Sequence, residues 1–423
     1  MIKKLNKIYN KENFVCDAGQ IDPYKYHSTF YFFVKAFQVL DDEPIPRWTY
    51  VALPTMVIVG SLCAIIEATA AAHGATTLDI PVITEGLVYS IVLIYKLLIL
   101  SCTQLNKPQY HCFLHILRED FRYVCSTSEG RKYRHRFFKN QLMTWKASLW
   151  VMIFTMLIAG GMIVFSIIAL LQYLMTRTPG DGSTRPLLFP FWCGDLDSQK
   201  TPVYEILFTF SIFALASYAY NYVFMIQTQV VWVNHIATKA DLVIWAIQDL
   251  LRDVESAMTD EARAHNTNLI KYRMKAIVSQ HLAMYTLLEA YAGVYKKLLM
   301  YEQKLCGPVV CLTAYCTAEK LDEGEFNAIP LLLGIATATL VFIPSYLCTF
   351  LAIKVKSICD ACWDTAFWNV GPEIRPYFVL IMQRSLRPLP LQAPGFEEIS
   401  IQTFSGKMTS AYSLFNMLRQ TNI

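Results

Sequence analysis

The chain has 423 residues, of which 54% are hydrophobic and only 17% charged, with a mean hydropathy of +0.33. That balance is too apolar for an ordinary water-soluble domain and places the protein in a membrane. With a formal net charge of only +4, no nucleic-acid partner is expected.

In chain order, residues 1–45 read as a cytoplasmic N-terminal segment. Its opening, MIKKLNKIYNKENF, carries Lys3, Lys4, Lys7 and Lys11 and lacks an apolar h-region, so no cleaved signal peptide is expected. Apolar runs at 48–70, 82–102, 147–175 and 203–233 are each long enough to cross a bilayer, which takes roughly 20 residues. Residues 46–233 therefore form a region of four transmembrane helices. Residues 234–304 form a cytoplasmic helical region that leads into a fifth. There, 281–300 has helical apolar spacing interrupted by Lys296 and Lys297, and the apolar run at 305–318 is too short to span alone. The two read as one long helix that stands in water below and enters the bilayer above. The remainder, 305–423, holds spans five to seven. Residues 329–353 form a plain span, and the last is split: 374–386, an interruption at 388–395 with Pro388, Pro390, Pro394 and Gly395, then 399–418. Proline removes a backbone donor and glycine permits the turn.

The fold class expected is all-α: a polytopic membrane protein with seven transmembrane helices, the last one broken. Lysine and arginine crowd the N-terminus, the 107–146 loop, residues 239–275, and Lys354 with Lys356. The alternate loops are poor in them: 71–80 has none and 319–328 has only Lys320. The positive-inside rule then puts the N-terminus in the cytoplasm and the C-terminus outside. A G-protein-coupled receptor has the opposite orientation, and neither D/E-R-Y after the third span nor N-P-x-x-Y in the last is present.

Signals for catalysis are weak. His111 and His115 in HCFLH sit one helical turn apart with no third ligand cluster, and Cys359 with Cys362 forms a CxxC without a partner pair. There is no Gly-rich phosphate loop and no G-x-S-x-G, so no enzyme, cofactor, metal or catalytic residue is expected. Of the cysteines, Cys193 and Cys316 are placed to meet an oxidising compartment, and a bridge between them is one option. Glu67, Glu85 and Glu205 are expected at interfaces, and Lys96 is expected to snorkel.

Against this background, the block IRPYFVLIMQRSLRPLPLQAPGFEEISIQTFSGKMTSAYSLFNMLR resembles the C-terminal signature of insect odorant receptors. The matching parts are 381–389, Gly395 with Phe396, 401–404 and 410–419. DACWDTAFW (360–368) resembles the segment before the last helix, with Trp363 and Phe367 where the family has Tyr and Trp. The resemblance implies a subunit of a ligand-gated, non-selective cation channel in the cell membrane of an olfactory sensory neuron dendrite. It implies a heterotetramer with a shared co-receptor, a volatile hydrophobic ligand, and passage of monovalent and divalent cations through a central pore built from the last helix of each subunit. This chain reads as a ligand-tuned subunit.

Irregular backbone at membrane depth is tolerated where it is buried in protein or lines water, so the split last helix points to an aqueous path. Tyr412, Phe415, Asn416 and Arg419 follow i, i+3, i+4, i+7 spacing and form the expected pore face, with Phe415 as the gate; packing of the aromatics against neighbouring helices is equally compatible. The resemblance further implies a ligand pocket in the outer half of the second, third, fourth and sixth spans. The residues there are Ile83, Leu87 and Tyr89; Met162, Phe165, Ser166 and Ala169; Phe208, Ile212 and Leu215; and Thr337 and Leu340. Tyr89, Ser166 and Thr337 would hydrogen-bond the ligand, although plain helix packing produces the same stripes. The apolar flank of Leu242, Trp245, Ile247, Leu250, Leu251 and Val254 suits either a subunit contact or packing within the chain.

Overall fold

The computed structural model describes residues 8–11, 22–40, 47–176, 185–189, 191–192, 194, 197–252, 260–322, 324, 327–365, 367–369, 372, 374–389, 391 and 398–421. Among them there is no strand. After a short turn of helix at Pro23–Tyr26, the principal elements are α1 (Ser28–Ala36), α2 (Thr49–Thr77), α3 (Ile80–Leu105), α4 (Lys107–Ser126), α5 (Arg134–Thr176), α6 (Val203–Gln248), α7 (Asp260–Asp322), α8 (Ala328–Asp364), α9 (Arg375–Ser385) and α10 (Ile401–Thr421).

Five of these, in α2, α3, α5, α6 and α8, are long and apolar enough to cross a membrane. They coincide with the five uninterrupted apolar runs of the sequence. The fifth and seventh expected spans are not among them, for a physical reason visible in each. The 63 residues of α7 are mostly polar below their apolar top and include Pro308, and α10 interleaves serine, threonine and lysine with its aromatics. The last helix is interrupted as expected: α9 stops at Ser385 and α10 starts at Ile401. Pro390, Pro394 and Gly395 lie outside the described residues.

Turn chemistry sets several boundaries. Leu78 adopts a left-handed conformation (φ 58°) that ends α2, and the Asp79 side chain accepts from the Val82 amide at 3.4 Å to start α3. The resulting α2–α3 hairpin is tight. A Cβ on Gly86 would lie 2.9 Å from the Ala71 nitrogen and 3.0 Å from the Glu67 oxygen, so only glycine fits that crossing. Asn327 caps α8 by accepting from the Ile329 amide at 3.0 Å.

The expected third and fourth spans are longer than their apolar runs. Helices α5 and α6 run for 43 and 46 residues and continue into a second, lower layer built with α1, α4, α7 and α9. Trp232 of α6 is the centre of that layer. It stacks on Phe113 with ring centroids 4.5 Å apart, meets Tyr291 and Tyr295 edge-on, and donates to the Leu287 carbonyl at 3.3 Å. The flank of Leu242, Ile247 and Leu250 is fully buried in this core of the same chain, with Trp245 and Leu251 packed against it; Val254 lies outside the described residues.

Beside Trp232 runs a chain of buried hydrogen bonds. Lys239 Nζ donates to Asp120 Oδ1 at 2.6 Å and to Gln280 Oε1 at 2.8 Å, and His235 Nε2 donates to Asp120 Oδ2 at 3.0 Å. Gln141 Nε2 then donates to His235 Nδ1 at 3.2 Å, and His27 Nε2 donates to Gln141 Oε1 at 2.8 Å. This direction of donation places a His235 proton on Nε2, facing Asp120. Burial by itself would raise the Asp120 carboxyl, but Lys239 and His235 outweigh it and hold the group below its usual value. His27, buried and without a carboxylate partner, is pushed down to about 4, chiefly by desolvation.

Two predictions follow from this layer. Asp120→Ala leaves the Lys239 ammonium buried and unpaired, and is expected to cost about 3–5 kcal/mol, with partial recovery in Asp120→Ala/Lys239→Leu, both read by thermal unfolding in detergent. His27 has a lower pKa folded than unfolded, so its contribution is complete above the unfolded value of 6.5 and is lost as pH falls toward 4. Stability is therefore expected to fall on the order of 3 kcal/mol over that window, less in His27→Asn, measured as unfolding midpoint against pH.

Candidate ligand site and last helix

The upper halves of α3, α5, α6 and α8 enclose a second, smaller core, and the hollow space in the molecule adjoins it. Three neighbouring hollows share Tyr218 of α6. The first lies between α5, α6 and α8 and is walled by Phe154, Ile158, Met162, Leu215, Tyr222 and Leu333. The second lies between α3, α6, α7 and α8 and is bounded by Val92, Tyr95, Glu302, Val309, Thr337 and Leu340. The third is bordered by Phe189, which meets Tyr89 edge-on at 4.9 Å. A wider groove at the lower ends of α2 and α3 is an open furrow.

The floor of the second hollow carries its chemistry. Tyr95 donates a hydrogen bond to Glu302 Oε1, while Glu302 Oε2 has no partner, although the residue is only 3% exposed. Across the hollows the Tyr222 hydroxyl is also without a partner, and its ring stacks on Tyr218 with centroids 6.2 Å apart. The rest of the wall is mostly aliphatic or aromatic, with Thr155, Thr337, Thr339 and Cys306 as its other polar members, which suits a small apolar molecule with one polar head.

Of the residues expected from sequence, Tyr89, Met162, Leu215, Thr337 and Leu340 line these hollows. Ile83, Phe165, Ala169, Phe208 and Ile212 are half-buried outside them, and Leu87 faces away, 42% exposed. Ser166 is buried with its hydroxyl unpartnered, also outside the hollows. Thr337 donates to the Leu333 carbonyl at 2.9 Å, leaving its oxygen as an acceptor. The hollows sit one to two helical turns deeper than expected. Tyr95, Tyr218 and Glu302 were missed for that reason, although an acid just below the apolar top of α7 was a sequence signal for them. Phe189 comes from a loop that helical periodicity does not reach.

Two ionisable residues differ from expectation. Glu67 is fully buried with both carboxylate oxygens unpartnered, because the close α2–α3 crossing turns it inward. Lys96 does not snorkel: it is 0% exposed and donates to Ser217 Oγ and, at 3.2 Å, to the Met56 carbonyl. Glu85 is half-buried, and exposed Glu205 accepts from Thr201 Oγ1 at 3.0 Å. Cys316 is a free thiol donating to Thr84 Oγ1 at 3.4 Å, and Cys193 lies outside the described residues.

Helix α10 packs on α7 and α8 through Phe404, Met408, Ala411 and Phe415, with Phe404 edge-on to Phe342 at 5.5 Å. The opposite face is open and polar, made of Gln402, Ser405, Thr409, Ser413 and Gln420. Thr409 and Ser413 donate to carbonyls of their own helix, at 3.0 and 3.1 Å, so their oxygens remain available outward as acceptors. Of the four residues expected to face a pore, Phe415 lies on the packed face, and Tyr412, Asn416 and Arg419 lie between it and the open face or at its edge. Tyr412 is 65% exposed, Phe415 and Asn416 are half-buried, and Arg419 pairs with Asp322 of α7 at 2.8 and 3.0 Å.

The family described as 7tm Odorant receptor matches residues 80–412. The fold is similar to that of the insect olfactory receptor OR5 from Machilis hrabei in complex with eugenol, with a TM-score of 0.72 at 13% identity over 94% of this chain and 98% of that one. It is also similar to a second structure of the insect olfactory receptor OR5 from Machilis hrabei, with a TM-score of 0.66 at 13% identity over 95% of this chain and 100% of that one. No curated protein matches the sequence.

Removing the Tyr95 hydroxyl would leave both Glu302 oxygens unsatisfied. Tyr95→Phe is expected to lower stability by about 1–3 kcal/mol, and Tyr95→Phe/Glu302→Leu to recover most of it, measured by thermal unfolding in detergent.

Proposed function

The chain belongs to the 7tm odorant receptor family, and from that premise we propose that it is the odorant-tuned subunit, not the co-receptor, of a heteromeric channel. Members of the family are ligand-gated cation channel subunits that bind small odorants and form complexes with a co-receptor, and the chain is a multi-pass membrane protein rather than an enzyme. In our reading seven helices cross the bilayer, with the basic lower layer in the cytoplasm of a sensory dendrite and the C-terminus outside. In this reading the helices of 46–233, with α7 and α8, hold the ligand, 234–304 anchors the subunit, and 305–423 carries the pore.

The observation that carries this reading is the group of hollows around Tyr218. It is apolar, is bounded by few polar groups, and lies between helices of a bundle, where a small volatile molecule loses its water and gains close packing. The eugenol complex of the similar receptor supports a ligand of comparable size here. Tyr89, Met162, Leu215, Thr337 and Leu340 are the contacts we retain from the sequence. In the assembled channel the polar face of α10 would line the conductive path, with Tyr412 on its edge and Arg419 fixing its outer end through Asp322.

Whole-cell recording with a co-receptor tests both halves. Ala336→Phe fills the first hollow and is expected to raise the half-maximal odorant concentration at least about tenfold at unchanged surface expression. Ser413→Cys is expected to give current blocked by a water-soluble thiol reagent, whereas Ala411→Cys, on the packed face, is not. Currents that need G-protein activity, or equal block of both cysteines, would contradict the channel reading.

A further inference from the structure

We propose that the hollow beside Tyr218 is built for a small primary amine, with Glu302 as the residue that holds the ammonium head. The inference rests on the ligand-site reading above and names the chemical class of its occupant.

Three observations converge on it. Glu302 is 3% exposed and borders the hollow; one carboxylate oxygen is held by the Tyr95 hydroxyl and the other has no partner. A buried carboxylate oxygen without a donor is costly, and a ligand bringing an N–H removes that cost. Among the described residues that line the three hollows, none is a lysine, arginine or histidine, so the acid has no competing cation from the protein there. The surrounding rings provide the second contribution. Tyr95 and Tyr218 border the same hollow as Glu302, and Tyr222, stacked with Tyr218, borders the next. Aromatic faces around a carboxylate attract an ammonium through their quadrupoles. The aliphatic tail would run along Val92, Leu305, Val309 and Leu340.

An alcohol of the same length fits the apolar wall and donates one hydrogen bond, but it brings no charge. An aldehyde or ester brings no donor and leaves the free Glu302 oxygen unanswered. The expected order of potency is therefore amine, alcohol, then carbonyl compound.

The test compares hexylamine, 1-hexanol and hexanal on the chain expressed with a co-receptor, and in parallel measures binding of the same compounds to the purified chain in detergent. In the wild type, hexylamine is expected to act and bind at a concentration about tenfold or more below that of 1-hexanol, the gain characteristic of a charge-assisted contact. Glu302→Gln is expected to erase that difference while changing the 1-hexanol response less than about threefold, and Glu302→Asp to restore part of the preference. Surface labelling establishes that each variant folds and reaches the membrane.

Hexylamine no better than 1-hexanol in the wild type, or a preference unchanged in Glu302→Gln, overturns the inference and leaves the odorant-channel reading intact. Glu302-dependent hexylamine binding to the purified chain without current from any compound upholds the amine site and counts against the channel. Loss of the amine preference in both binding and current in Glu302→Gln, with the alcohol response changed less than about threefold, is the signature expected.

Discussion

The continuity of α6 is the constraint on which the rest of the molecule depends. Its 46 residues form an unbroken ladder of hydrogen bonds about 69 Å long at 1.5 Å per residue, with no proline inside it. Tyr218 on its upper part borders the ligand hollows, and Trp232, His235 and Lys239 on its lower part sit in the buried core beneath. One element therefore belongs to both levels of the fold. Helix α7 runs beside it and connects the same two levels, from Met274 in the lower core to Glu302 at the hollow and Asp322 at the contact with α10.

Buried polar groups divide into two kinds in this fold. Asp120, Lys239, His235 and Gln141 satisfy one another, so desolvation is offset and the layer acquires a single arrangement of α4, α5, α6 and α7. Lys96 is likewise held, by Ser217 and a carbonyl of α2. Glu302 is different, because one oxygen is held and the other is left open at the edge of a hollow. An incompletely satisfied group on a cavity wall is where a ligand gains the most specificity per contact. Glu67 is also unsatisfied, turned inward by the close α2–α3 crossing, but it borders none of the three hollows.

Much of the architecture was legible because the bilayer imposes length and composition together. The five uninterrupted apolar runs became five membrane-length helices, and the prolines around Pro388 marked the real break between α9 and α10. Apolarity did not show where α5 and α6 end below, since their lower turns are buried by protein rather than lipid and carry Gln141, His235 and Lys239. The same limit applied to the site. Of the residues that the family resemblance implied, Tyr89, Met162, Leu215, Thr337 and Leu340 border the hollows, whereas Tyr95, Tyr218 and Glu302, which also border them, lie deeper than the outer half of the bundle. On α10 the i, i+3, i+4, i+7 rule identified one flank, whereas the open polar row lies a turn of the wheel away and is composed of small hydroxyls that hydropathy hardly registers. Depth and azimuth are set by neighbouring helices, and a single segment does not encode them.

The central claim is that a small ligand held against Tyr218 opens a path lined by α10. A cryo-electron microscopy reconstruction of the chain assembled with a co-receptor in lipid nanodiscs, saturated with an activating ligand, tests it most directly. The account predicts ligand density between α3, α5, α6 and α8 in contact with Tyr218, with the Gln402–Thr409–Ser413 face of α10 turned toward the central axis of the assembly. Ligand density elsewhere, or that face of α10 turned toward lipid, would contradict it.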